Sequence, residues 1–148
     1  KVYNEKIRPI LDKDARINIL KTFSGNILHE HIDCQEKEIG TNQHKLRVVL
    51  QGDIDKLYFR DENGGKWNVP KEYNTYVMDG GHLHALEEST ETKITMCIGA
   101  PWRGRKTKAY KEVLEKSPFT KKVGYPPVKD EHIDPRFKDE DNSGTVST

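Results

Sequence analysis

Asn26-Ile27-Leu28-His29-Glu30-His31-Ile32-Asp33 is an apolar lead into a His-x-Asp step. On a β-strand, residues i and i+2 share a face, so His31 and Asp33 can reach one ion together. A further histidine stands far downstream, in Asp79-Gly80-Gly81-His82-Leu83-His84. Two imidazoles and one carboxylate form the facial ligand set that holds Fe(II) and leaves the remaining positions open. The third ligand must then be carried alongside by a fold that pairs distant strands. His82 lies two residues before His84 and, on a strand, shares its face and competes for the role.

Working outward from that stretch, the pattern from residue 16 to residue 100 is β. The sequence predicts eight short strands: Arg16–Phe23, Asn26–Asp33, Lys45–Gln51, Lys56–Arg60, Lys66–Val69, Asn74–Met78, His82–Glu87 and Thr92–Ile98. Ser24-Gly25, Gln51-Gly52-Asp53 and Gly80-Gly81 supply turn chemistry between them, and Asp61-Glu62-Asn63-Gly64-Gly65 reads as a hairpin connection. Many short strands with Gly-rich turns predict an all-β sandwich or barrel, and eight strands suit a jelly roll.

Lys6–Lys13, interrupted by Pro9, reads as a short helix or an extended lead-in arm. Thr107–Lys116 places Tyr110, Val113 and Leu114 at helical spacing and predicts a short amphipathic helix. After Ser117 the chain is rich in Pro and charge, which predicts an extended tail docked on the domain or on a neighbouring copy, fraying after Asn142. The expected organisation is therefore a jelly-roll domain over 1–116 and a tail over 117–148, the tail leaving a route to homo-oligomerisation.

The 148 residues suit one domain. With 25 Lys+Arg against 24 Asp+Glu, the charge balance gives no footing for nucleic-acid or membrane-surface binding. No run approaches the ~18 apolar residues that span a bilayer, and no secretory leader is visible, so the expected location is cytoplasmic. Cys34 and Cys97 do not form a disulfide scaffold or a Cys-x-x-Cys site and read as ordinary buried thiols.

The order of pieces resembles a family. His31-x-Asp33, Leu46-Arg47-Val48-Val49-Leu50, Gly64-Gly65-Lys66-Trp67, Asp79 to His84, Lys93 and Ala100-Pro101-Trp102 resemble the aspartyl/asparaginyl β-hydroxylase-like group of Fe(II)/2-oxoglutarate-dependent oxygenases, which includes free-proline hydroxylases. The resemblance covers about Ile27 to Trp102. It implies a double-stranded β-helix of cupin-like type, with His31, Asp33 and His84 as iron ligands and catalytic residues. It also implies 2-oxoglutarate as cosubstrate, dioxygen as oxidant, and hydroxylation of an amino acid, a peptide side chain or a small metabolite.

The family's basic residue after the distal His is usually Arg, and the match here is Lys93, nine positions after His84. A lysine lacks the bidentate fork of Arg, so anchoring the far carboxylate of 2-oxoglutarate calls for a hydroxyl from Thr95 or Tyr76. Arg47 matches the Arg on the strand after the dyad and is expected to face the same pocket. Val48, Leu50, Tyr58, Val77 and Leu86 are candidate wall residues. Two rival readings stand beside this one. The first is a cupin-type metalloenzyme using His29, His31, Glu36 and His82 or His84, without 2-oxoglutarate. The second is a non-catalytic β-sandwich serving binding or assembly.

Overall fold

The structure is a computed structural model in which residues 1, 4, 5, 8, 16–40, 44–99 and 115–135 are described. The strands are β1 (Arg16–Thr22), β2 (Leu28–His31), β3 (His44–Gln51), β4 (Leu57–Arg60), β5 (Lys66–Asn68), β6 (Thr75–Asp79), β7 (His84–Leu86) and β8 (Lys93–Gly99). Their ends differ from the sequence expectation by at most two residues. The lead-in arm over 6–13, apart from Arg8, lies outside the described residues. So do the helix over 107–116, apart from its last two positions, and the end of the tail.

Two four-stranded antiparallel sheets form, in the orders β1-β8-β3-β6 and β2-β7-β4-β5. Only β4 and β5 are neighbours both in sequence and in a sheet, so the chain passes back and forth between the layers in a jelly-roll-like roll. The β4–β5 hairpin closes because the Asp61 carboxylate accepts the amides of Asn63 at 3.0 Å and Gly65 at 2.7 Å. Gly64 supplies the φ of 79° that the turn requires.

Strand alternation sets the core. Leu57 and Phe59 of β4 point inward while Tyr58 and Arg60 are half-buried. With Val49, Ile54, Val69, Met78 and Leu86 they make the larger apolar cluster, against which Trp67 and Tyr76 pack. A second, smaller cluster joins Ile32, Cys34 and Leu83, with Ile39, Val128 and Ile133 against it. Val128 and Ile133 belong to the C-terminal segment. Cys34 and Cys97 are both buried free thiols.

Gly52 shows how tightly β8 is held. Its φ is 90°, and a Cβ there would lie 2.8 Å from the Lys93 Cα and 2.9 Å from the Thr92 carbonyl oxygen. The β3–β8 register shifts between Val49 and Gln51, one residue before it. Gly52→Ala therefore combines left-handed strain with a backbone clash, whereas Gly64→Ala meets only strain in open space. Gly64→Ala is expected to cost about 1–2 kcal/mol and Gly52→Ala clearly more, read from urea midpoints.

Candidate metal centre

β2 and β7 pair so that His31 and His84 are direct cross-strand partners. Their rings lie 4.4 Å apart at a tilt of 47°. Asp33 follows β2 and is fixed by its amide, which donates to the Gly80 carbonyl at 2.7 Å. One donor atom from each of His31, Asp33 and His84 lies within 4.8 Å of the others, the one such group among the described residues. The His31 Nε2 is 3.3 Å from Asp33 Oδ1 and the His84 Nε2 is 3.7 Å from Asp33 Oδ2.

Each imidazole is oriented by its own chain. The Nδ1 of His31 lies 2.8 Å from the His29 carbonyl oxygen, and the Nδ1 of His84 lies 2.7 Å from that of His82. A carbonyl only accepts, so Nδ1 carries the proton in both rings and the lone pair of the neutral form sits on Nε2. Both lone pairs therefore belong to the nitrogens nearest Asp33, which is the tautomer a metal ligand needs.

The electrostatics follow from burial and these contacts. Burial opposes ionisation of Asp33, yet the hydrogen bond from His31 and the charges of His84 and Lys45 outweigh it and hold the carboxyl far below the usual range. Burial pushes His84 down to about 4, so it is neutral at pH 7. For His31, burial pulls down, but the bonds to Asp33 and the His29 carbonyl prevail and raise it. Lys45 Nζ donates to Asp33 Oδ2 at 2.6 Å, and Arg47 Nη2 stands 3.9 Å from the same oxygen.

The donor set opens into a cavity of about 450 Å³, within the size range of small-molecule sites. Its lining includes Arg47, Tyr76, Lys93, Thr95 and Cys97, so every residue expected to hold the cosubstrate reaches one space with His31, Asp33 and His84. Lys93 is only 5% exposed. Burial lowers its pKa, with Asp53 and Asp55 opposing from a distance; no carboxylate among the described residues pairs with it. Tyr76 is held as a neutral hydroxyl, its pKa raised by burial.

His82 does not share the face of His84. It precedes β7 in a turn, its amide donating to the Asp79 carbonyl at 3.1 Å, and its Nε2 bonds the Arg60 carbonyl. Glu36 sits on a single 3-10 turn, Glu36–Glu38, outside the ligand group. Of the expected wall residues, Leu86 lines the cavity and Val48, Leu50, Tyr58 and Val77 do not. The reason is phase: with Arg47 facing inward, its strand neighbour Val48 faces outward, and Leu50 is 58% exposed. Tyr58 instead donates to Glu30, which also accepts from Arg60. The walls are Leu20, Leu28, Leu57, Met78 and Leu86, joined by Ile133.

The donor chemistry fits a divalent transition metal of the iron type: two imidazole nitrogens and one carboxylate oxygen lie within 4.8 Å of one another. Lys45 is the participant the sequence reading missed. It lies two positions before Arg47 on β3, so alternation puts both on one face.

No protein-family model matches the sequence, and no curated protein matches it. Several solved structures align with it, among them two hydroxylases. One is a prolyl-4-hydroxylase from Pseudomonas putida, at 15% identity over 68% of this chain and 59% of that chain, with a TM-score of 0.49. The other is a viral collagen prolyl hydroxylase from Paramecium bursaria Chlorella virus-1 in its 2OG complex, at 15% identity over 66% of this chain and 64% of that chain, with a TM-score of 0.40. The chain thus spans less than two thirds of the length of either. No helix among the described residues is long and apolar enough to cross a membrane.

Proposed function

We propose that the chain is an Fe(II)/2-oxoglutarate-dependent oxygenase that hydroxylates an amino acid, a peptide side chain or a small metabolite, on a double-stranded β-helix. One observation carries this reading: a single cavity joins the His31–Asp33–His84 donors to a buried lysine that has no carboxylate partner among the described residues. A buried ammonium is costly unless something neutralises it, and a dicarboxylate chelated at the metal would present its far end to Lys93.

When bound, iron and 2-oxoglutarate supply the oxidation of a C–H bond by dioxygen. The chain's own residues do the rest. His31 and His84 offer Nε2 and Asp33 an ionised carboxylate. Lys45 keeps that carboxylate charged and oriented. Lys93 takes the distal carboxylate of the cosubstrate, with the Thr95 and Tyr76 hydroxyls beside it and Arg47 facing the same space. Leu57, Met78 and Leu86 keep the inner end dry, which limits wasted oxidation.

The test is succinate formation from 2-oxoglutarate with added Fe(II), screened against amino acids and peptides. Turnover that requires Fe(II) and rises with one substrate class is the expected result. Protein that binds Fe(II) yet yields no succinate under any condition would refute the proposal.

A further inference from the structure

The C-terminal segment lies against the metal end of the roll. Ile32 and Ile133 form a parallel bridge, and the Ile32 amide donates to the His132 carbonyl at 2.9 Å. Upstream, the Tyr125 hydroxyl bonds Asp79, and its ring lies 5.1 Å from that of His82. The Gly124 amide donates to the Glu62 carboxylate at 2.8 Å. Glu131, Ile133, Asp134 and Pro135 line the cavity.

The small apolar cluster gives this docking its meaning. Ile32, 0% exposed, stands between His31 and Asp33, and Leu83, 3% exposed, directly precedes His84. Each donor residue is therefore the chain neighbour of a side chain locked in one cluster, and the segment supplies Val128 and Ile133 to it. Close-packed side chains transmit displacement, and a metal set tolerates only ~0.5 Å of error in its donors.

We infer that Val128 and Ile133 are positioning residues of the metal centre, holding His31, Asp33 and His84 at coordinating spacing by packing on Ile32 and Leu83. This rests on the metal reading proposed above. The segment is thereby a working part of the site, backing the ligands from behind while Glu131, Ile133, Asp134 and Pro135 close one side of the cavity.

The test uses the full chain and Co(II), whose visible absorption reports on coordination directly and needs no substrate. Ile133→Ala is expected to weaken Co(II) binding by ~10–100-fold, the range for loss of an outer-shell support, and Ile133→Val to restore most of it. Val69→Ala removes two of the three carbon atoms that Ile133→Ala removes, but from the larger cluster, away from the segment. It should lower thermal stability while leaving Co(II) affinity unchanged. In the metal-free chain, the Ile32 amide should be protected from hydrogen exchange and lose that protection in Ile133→Ala. Unchanged affinity in Ile133→Ala, or an equal loss in Val69→Ala, overturns the inference. So does an unprotected Ile32 amide in a wild type that binds Co(II), which leaves the metal reading intact. A wild type that binds no Co(II) but protects Ile32 brings down the metal reading itself, and this inference with it.

Discussion

Asp33→Ala is expected to abolish metal binding and succinate formation together, while Glu36→Ala leaves both unchanged. Asp33 meets His31 at 3.3 Å, His84 at 3.7 Å and Lys45 at 2.6 Å, so its loss removes the centre of the constellation. The expected drop in Co(II) affinity exceeds the ~10–100-fold that outer-shell losses cost. Stability of the metal-free chain changes as well, with a sign set by linkage. The Asp33 carboxyl is held below its unfolded value of 3.8, so its contribution is fully present above that pH. It is lost as pH falls from there toward the folded value. Urea midpoints of Asp33→Ala and wild type should therefore differ at pH 7 and converge in strong acid. The reverse pattern, metal lost with Glu36→Ala and kept with Asp33→Ala, would favour a cupin ligand set.

Lys93→Met separates cosubstrate recognition from stability. A charge-assisted hydrogen bond contributes about 1.5–3 kcal/mol, so the KM for 2-oxoglutarate should rise by roughly 10–100-fold, with Co(II) affinity unchanged. Thermal stability should move the other way. Lys93 is buried, its charge is disfavoured there, and no carboxylate partners it among the described residues. Methionine keeps the stem's volume without the charge, so the metal-free variant should unfold at a higher temperature. A site that costs stability until its ligand arrives is the pattern expected of a residue kept for function. If KM is unchanged, or the variant is less stable, Lys93 is a structural residue.

Much of this was legible in the sequence because the relevant periods are short. Turn residues at Gly64-Gly65 and Gly80-Gly81 and alternation within strands marked all eight strands, and the His-x-Asp step marked two of the three side chains that lie together. The parts that were not legible depend on pairing across the chain. Whether His82 or His84 meets His31 is decided by the residue at which β7 begins, and the turn that satisfies the His82 amide on Asp79 delays it. Leu86 lines the cavity as expected, while the other four expected wall residues failed on phase: Val48 cannot face the cavity once Arg47 does. The Pro-rich segment offered composition but no period, so its bridge to Ile32 and its seat against Leu83 had no local signal.

The strand order also governs how the chain must be made. Thr22 pairs with Lys93 and Ile17 with Ile98, so β1 waits for about 70–80 further residues before its partner exists. At the ~5–20 residues per second of synthesis, that delay is on the order of several seconds. Ile17, Ile19 and Leu20, each still about half exposed in the finished roll, stay bare throughout. Non-local pairing of this kind folds slowly. Unpaired strands and bare apolar side chains favour aggregation, so the soluble yield is expected to rise with slower growth at low temperature and chaperone support.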